Sequence, residues 1–388
     1  MVDKTAGEKR RAISPPYTAH TPHESRALTG EQVSRYEIVD LFAGPGGLDV
    51  AANRLGIPVT GIEWDADACA TRRAYEANLK KEDPHVLTVQ GDVRLFGPEK
   101  FPTANVLTGG PPCQTFTVAG GGAGRRALDQ VLAFIERMVN GDDVRDDVAL
   151  LDDERTGLVL EPLRWALAAI GRGEPYEAVI LEQVPAVLPV WQAMATVLRA
   201  KGYSVAEPEI LHTEEYGVPQ TRRRAVLVAR LQTTGNAVEA RLPEPTHQRY
   251  RKDVPPIPQP PAVVAPWVSM GEALGQHDFT VVSNYGTGGD PKARGRRTDK
   301  EPAFTVTGKI SRNRVLRVRD GVEQDSRFGN EEAGLLQTFP RFYPWSGRAI
   351  AQQIGNAIPP LLGAHILTAA LDLPLRADGK ISLGYDGF

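Results

Sequence analysis

The sequence predicts an α/β protein: a mostly parallel sheet covered by helices on both faces, followed by a smaller, loop-rich, β-containing part. Three observations carry this. From Tyr36 to about Arg230, short apolar runs alternate with amphipathic stretches, the rhythm of right-handed βαβ units. A glycine-rich turn, Ala43-Gly44-Pro45-Gly46-Gly47, stands between the first strand and the first helix, where such sheets receive ligands. After Arg230 the rhythm stops. Eight prolines fall between residues 242 and 266, and short β pieces between glycines come next.

The elements read in order as follows. Tyr36 to Phe42 is a buried strand that runs into the glycine turn, and a helix continues to about Gly56. Val59 to Ile62 is a second strand and Asp65 to Leu79 a second helix. Val86 to Val89 and Val106 to Leu107 are strands three and four. Leu128 to Val139 has the pattern of an amphipathic helix, and Glu161 to Ile170 is helical. Ala178 to Leu181 is strand, Pro189 to Lys201 helix, and Ala225 to Val228 strand again. In the later part Phe279 to Val282 and Ala303 to Thr307 are β-like. Ala349 to Leu371 returns to a helical pattern, broken at Pro359-Pro360.

With 388 residues the chain is too long for one compact core. The expected division is a large domain over 36–230, completed by 341–388, and a smaller one over 231–340. Residues 1–35 are polar and lack the apolar segment of a secretion signal, so they read as a mobile tail. No apolar run is long enough to span a bilayer. Two cysteines, Cys69 and Cys113, allow neither a disulfide framework nor a metal cluster. A cytoplasmic monomer without a metal is expected.

The net charge of −3 hides an uneven distribution. From Lys292 to Arg319 there are ten Lys/Arg against two acids, and from Asp142 to Arg155 seven acids against two Arg. One basic and one acidic stretch suit a polyanion that docks on a defined face. The basic side chains expected to meet it are Arg294, Arg296, Arg297, Lys309, Arg312 and Arg314.

Three consecutive strand ends carry groups suited to an adenosine-containing ligand. The glycines of the turn let a ligand approach the backbone closely. Glu63 closes the second strand nineteen positions after Gly44, the spacing of a carboxylate that grips ribose hydroxyls. Trp64 is placed to pack on an adenine face, and Asp92 to accept from an adenine amino group. The Lys-Ser/Thr of a phosphate-binding loop is absent.

The fourth strand leads into Gly109-Gly110-Pro111-Pro112-Cys113-Gln114. Two prolines fix the backbone there and hold a thiol at the carboxyl edge of the sheet. A core cysteine needs no such lead-in, whereas Cys69, inside a helix, reads as inert. Glu182 ends the next strand after the apolar run Ala178 to Leu181, so its carboxyl is partly desolvated and disposed to hold a proton. Arg222 and Arg224 alternate on an extended stretch and are expected to face one pocket, with Arg223 at the solvent.

Taken in order, these motifs closely resemble the DNA (cytosine-5)-methyltransferase family. The matching pieces are Asp40 to Gly47, Pro111-Pro112-Cys113-Gln114, Glu182-Gln183-Val184, Gln220 to Arg224, Leu336 to Pro340, and Gln353 to Pro360. Asp153 to Arg164 also looks like a family segment. The match runs from about Tyr36 to Leu371, in the unpermuted order of bacterial and phage enzymes.

The resemblance implies a Rossmann-like, S-adenosylmethionine-dependent fold with a target-recognition domain. It implies double-stranded DNA as partner, with the cell's nucleoid as location, and a cognate restriction endonuclease linked by function rather than contact. It also implies base flipping, with Cys113 as nucleophile and Glu182, Arg222 and Arg224 as its helpers. The cofactor residues it implies are Phe42, Ala43, Gly44, Gly46, Gly47, Leu48, Glu63, Trp64, Asp92, Val93, Pro112, Leu158, Asn356 and Ala357. Gln114, Thr115, Arg125 and Arg126 would meet DNA on a loop that closes over it. Gln183 departs from the family's usual asparagine and moves the amide by one methylene. The region from Gln114 to Asp153 is longer than usual, with its acidic part expected to face away from DNA. Two rival readings are an RNA (tRNA) cytosine-5 methyltransferase and a catalytically silent DNA-binding relative. The basic, proline-rich later part favours duplex DNA over the first, and intact Cys113, Glu182 and Arg224 speak against the second.

Overall fold

The computed structural model describes residues 35–79, 85–112, 122–151, 153–233, 238–257, 264–284, 294–319 and 322–373. Cys113, Gln114 and Thr115, the tail expected before Arg35, the side chain of Arg125, and the chain beyond 373 lie outside the described residues.

The large sheet has eight strands: β1 (Ile38–Leu41), β2 (Val59–Glu63), β3 (Val86–Gln90), β4 (Val106–Gly109), β5 (Ala178–Gln183), β6 (Tyr203–Val205), β7 (Glu209–His212) and β8 (Arg223–Leu231). The order is β3-β2-β1-β4-β5-β8-β6, with β7 also on β8. From β3 to β5 all pairings are parallel, as expected. Beyond β5 the mostly parallel sheet ends in an antiparallel edge: β8 runs antiparallel to β5, β6 and β7. Helix Leu188–Ala200 returns the chain to β6, which runs with β5; β7 keeps that direction, and the 3₁₀ turn Thr213–Tyr216 then reverses the chain directly into β8.

Strand alternation sorts the large core into two faces. Val39, Leu41, Leu107, Val179, Leu181 and Leu227 point to one face. There they meet α3 (Gly122–Val139), α5 (Glu161–Gly171) and α6 (Leu188–Ala200). Ile38, Val106, Ile180, Val226 and Val228 point to the other, against α1 (Gly47–Arg54) and α10 (Pro360–Ala370). The end of the chain thus completes the large domain: Arg230 Nη1 donates to Ala370 O at 2.9 Å and Tyr36 Oη to Leu371 O at 3.2 Å. Helix α2 (Ala66–Asn78) starts where Asp65 accepts from Ala68 N–H at 2.8 Å, satisfying a donor that the first turn leaves unpaired. Cys69 is buried within it, and burial pushes its thiol up to about 11, as an inert core cysteine requires.

The acidic insertion carries the four-residue helix α4 (Arg145–Val148). Its charges pair locally, Arg137 with Asp142 and Asp147, and Arg145 with Asp143.

The smaller part holds α7 (Met270–Leu274), α8 (Asn330–Leu336), α9 (Ile350–Asn356) and a four-stranded antiparallel sheet. Its strands are β9 (Phe279–Val282), β10 (Arg296–Thr298), β11 (Arg314–Arg319) and β12 (Val322–Ser326), in the order β10-β9-β11-β12. The stretch 303–307 is not among them. Its polar backbone is used elsewhere: Ala303 N–H donates to Pro219 O at 2.8 Å, and Val306 N–H to Gln220 Oε1 at 2.9 Å. The core of this part joins Phe279, Val281 and Val315 to Leu335, Leu336 and Ile354. It therefore reaches past residue 340, because α8 and α9 both lay their apolar sides on it.

Candidate active site

The glycine turn follows β1, with Phe42, Gly44 and Gly46 at φ of 61°, 57° and 99°. Phe42 is held in a region that residues with a Cβ seldom adopt. Gly44 and the neighbouring glycines serve different ends. A Cβ on Gly44 would meet nothing within 4 Å, so the turn opens a cradle there. A Cβ on Gly47 would lie 2.2 Å from Ile358 O, and one on Gly46 2.8 Å from Tyr343 Oη. At Gly47 the missing side chain makes room for the returning C-terminal segment, and at Gly46 it does so while also permitting a φ of 99°. Ala43 and Leu48 are buried, Leu48 against α10.

Glu63 stands at the rim of the cradle. Its Oε2 accepts from Gly44 N–H and its Oε1 from Asp65 N–H, both at 2.7 Å. Burial pushes its carboxyl upward, while the Asp65 and Gly44 donors pull the other way. Trp64 is 72 % exposed just after β2, and Leu95 is exposed in the 3₁₀ turn after β3. Asp92 is engaged locally. It caps a 3₁₀ turn by accepting from Arg94 N–H at 2.9 Å, and Arg94 Nη2 reaches its Oδ2 at 2.6 Å. Burial would raise its carboxyl, but these bonds outweigh it and hold it below its ordinary value. Val93 is buried in the core, and Leu158 is half-buried in a 3₁₀ stretch before α5.

Behind the turn lies a buried charge cluster. Arg72 holds both oxygens of Asp49 and donates to Leu87 O at 3.2 Å. Asp40 accepts from Thr108 Oγ1 at 2.6 Å. Burial, reinforced by Asp49, pushes the Asp40 carboxyl up to about 7. Tyr343 Oη closes the cluster by donating to Pro45 O at 2.6 Å.

The second cluster of side chains stands at the ends of β4, β5 and β8. Glu182 Oε1 is paired with Arg224 Nε, so this carboxyl is not left alone in an apolar setting. A Cβ on Gly110 would lie 3.7 Å from Glu182 Oε2, which places the strand end leading to Cys113 beside that carboxyl. Gln183 Nε2 donates to Pro111 O, and its Oε1 accepts from Val184 N–H at 2.7 Å. The longer side chain thus ties the lead-in of Cys113 to the end of β5. Pro112 is the last described residue before Cys113.

Arg222 is not in that pocket. Only 1 % exposed, it spends its guanidinium on backbone carbonyls: Val306 O at 2.9 Å, Gly355 O at 3.0 Å and Ala357 O at 3.1 Å. Burial, with Arg224 nearby, brings it well below its ordinary value, opposed by Glu182. Gln220, fully buried, joins the same hub by donating to Leu336 O and Gln337 Oε1, both at 2.8 Å. Gln337 in turn donates to Ile354 O at 2.6 Å. The hub binds the lead-in of β8 to the ends of α8 and α9 and to the 303–307 stretch. Ala357 is buried within it, and Asn356 is exposed, accepting from Gln352 Nε2 at 2.7 Å.

Of the side chains expected at a polyanion, Arg126, Arg296, Lys309 and Arg312 are exposed and Arg294 is half-buried. Arg297 is not available. It lies over the rings of Tyr250 and Phe304 and donates to Thr221 Oγ1, Pro302 O and Ala303 O at 2.7–2.9 Å. Arg314 is paired with Asp325 across β11 and β12 at 2.8 Å.

The profile of the C-5 cytosine-specific DNA methylase family matches residues 36–141 and 163–371. The Type II methyltransferase M.AplI of Arthrospira platensis is 29% identical over 381 residues, covering 94% of this chain and 93% of that protein. The Type II methyltransferase M.HpaII of Haemophilus parainfluenzae is 26% identical, covering 84% and 86%. The crystal structure of S. pombe Dnmt2 methyltransferase has the same fold, with a TM-score of 0.55 at 17% identity over 87% of this chain and 98% of that one.

Proposed function

The chain belongs to the C-5 cytosine-specific DNA methylase family, and from that premise we propose that it methylates C5 of one cytosine within a defined duplex sequence, through a covalent adduct on Cys113. The observation that carries this reading is the junction of Glu182, Arg224, Gly110 and Gln183 at one sheet edge. It sets an acid, its cationic partner and the lead-in of the cysteine side by side.

The cradle at Gly44, the Glu63 carboxyl and the exposed Trp64 ring fit the adenosine end of S-adenosylmethionine. When bound, that cofactor supplies the methyl group that C5 receives. The chain's own groups do the rest. The target base leaves the helix. The Cys113 thiolate adds to C6, breaking the C5–C6 double bond, and the electron pair moves to C5. Glu182 stabilises this addition by hydrogen bonding at N3, and Arg224 orients Glu182 and faces the ring oxygen. Removal of the C5 proton after methylation returns its electron pair to the ring and expels the thiolate. Arg222 acts through structure, holding the two parts of the molecule together.

The Type II names of the relatives support a modification role, partnered in function with an endonuclease. The test is bisulfite sequencing of plasmid DNA from cells that express the chain, beside a Cys113→Ser control. Protected cytosines in one recurring context, lost in the control, are expected. Absence of protection with soluble protein present would overturn the DNA reading, and tRNA would be the next substrate tried.

A further inference from the structure

The sheet edge that holds Glu182 continues on the side away from the glycine turn. Glu182 lies opposite Val226, so the start of β8 projects beyond the end of β5. β7 pairs with that start, His212 opposite Arg223. Residues 246–250 then cross the same place. Thr246 and His247 N–H donate to Glu215 O at 2.9 Å, and Arg249 lays its guanidinium against His212 Nε2. Arg223 and Arg249 are exposed, and neither is salt-bridged to a carboxylate among the described residues. Exposed Arg251 and Lys252 follow directly in the chain, with Asp253 the acid beside them.

The charged groups that face this place leave it positive. His212 is brought down to about 4 by burial, Arg249 and Arg223, and so is neutral. Glu214 and Glu215 face Arg249 from the turn at 213–216. Burial pushes Glu214 up to about 7, which weakens its compensation of the arginines; burial also raises Glu215, while Arg249 pulls it down. By contrast, the basic stretch that charge counting picks out loses Arg297 to two aromatic rings, Arg314 to Asp325 and Arg317 to Glu332.

We propose that Arg223 and Arg249 grip backbone phosphates of the duplex on one side of the target cytosine, with Arg251 and Lys252 extending the contact. This rests on the reading of duplex DNA as substrate. Guanidinium groups present paired donors that match phosphate oxygens. A duplex lying across the carboxyl edge at Glu182 must pass over one flank of β8 or the other.

The test is the salt dependence of duplex binding by the full chain, read by fluorescence anisotropy in a KCl series. Wild type is compared with the double variant Arg223→Ala/Arg249→Ala. A control double variant removes two exposed arginines elsewhere, Arg199 and Arg241, which pair with Glu207 and Asp372. Each lost phosphate contact reduces the slope of log K against log salt by about 0.9. Between 50 and 200 mM salt, wild type should therefore lose about tenfold more affinity than the double variant. The control should follow wild type, and Arg223→Lys/Arg249→Lys should restore the slope. Shortening the duplex on one flank of the target should erase the difference. Cofactor affinity, measured by calorimetry, reports that each variant is folded. Equal slopes for wild type and the alanine pair, with methyl transfer to duplex DNA intact, would overturn this surface alone. A wild-type chain that transfers no methyl to duplex DNA would overturn the substrate reading and the surface with it.

Discussion

The two ends of the sheet edge are built by different means. On the β1–β2 side the cradle is made by backbone: Gly44 N–H and Asp65 N–H fix both oxygens of Glu63, and the groups involved lie within nineteen positions of one another. On the β5–β8 side the chemistry depends on side chains and on distant segments. Arg222 reaches partners 84, 133 and 135 positions away, and Gln220 partners 116 and 117 away. The grip on Glu63 is assembled locally, with Tyr343 and Ile358 backing the turn from the returning segment. The Glu182 end, assembled from afar, is complete only when the smaller part is seated. Binding and chemistry should therefore be separable by substitution, and this separation is what experiment can break.

The largest effect is expected at Cys113. Cys113→Ser should lower turnover on the order of 10⁴-fold or more, the scale of losing a nucleophile, while leaving S-adenosylmethionine binding within error of wild type. Calorimetric binding beside a methyl-transfer assay checks both. Near-normal turnover would remove the covalent step, and loss of cofactor binding would remove the separation of the two ends.

Next is Arg222. Arg222→Met keeps much of the stem but strands the buried carbonyls of Val306 and Gly355 and leaves Ala357 O only a long bond from Gln337 Nε2. Each unsatisfied buried group costs about 1–3 kcal/mol, and with partial relaxation about 3–5 kcal/mol of unfolding free energy should be lost. Chemical denaturation measures it. If Arg222 instead faced the base, the variant would keep its stability and lose only turnover.

Arg222 also shows how far the sequence could be read. Alternation along an extended chain put Arg222 and Arg224 on one face, which holds for residues inside a strand. Arg222 lies just before β8, and its partners belong to segments that no local pattern connects to it. Glu182 and Arg224 were legible because both stand at strand ends within recognisable motifs. The parallel half of the sheet was legible because α-helices follow β1, β2 and β4, although only short 3₁₀ turns join β3 to β4. β6 and β7, three and four residues long, carry too few positions for a period to show, and with them went the antiparallel edge. Charge counting marked Arg297 as an exposed contact because composition does not reveal that Tyr250 and Phe304 enclose it. The roles of Gly46 and Gly47 were likewise hidden, since Tyr343 and Ile358 arrive from about 300 residues away.

The glycines allow a finer cut within the cofactor end. Gly47→Ala forces a Cβ onto Ile358 O and should cost about 1–3 kcal/mol in stability, the range of overpacking. Gly44→Ala has open space but an unfavourable φ, which costs about 1–2 kcal/mol. Its methyl also enters the cradle. The ratio distinguishes them: Gly44→Ala should weaken S-adenosylmethionine binding by more than it lowers stability, and Gly47→Ala the reverse. Paired thermal denaturation and calorimetric binding decide it. Equal ratios would mean that the cradle is not where the ligand lies.

The smallest effect is expected from the charge cluster beneath the turn, and its sign can be worked out. Burial and then Asp49 hold the Asp40 carboxyl up near 7, against a usual 3.8, while Thr108 and Arg72 pull down and Glu63 pushes up. Between about pH 4 and 7 the folded chain keeps a proton there that the unfolded chain has released. The folded state binds more protons across that window, so this group's contribution to stability falls as pH rises, and levels off above about 7. Asp40→Asn keeps an oxygen to accept from Thr108 Oγ1 and carries no titrating proton. Its melting temperature should therefore depend less steeply on pH between 5 and 7 than that of wild type. Differential scanning calorimetry across that range checks it. Coincident slopes would place the ionised carboxylate in the folded state already at pH 5. Arg72 would then face two ionised carboxylates, Asp40 and Asp49, and the trio beneath the turn would keep one uncompensated negative charge.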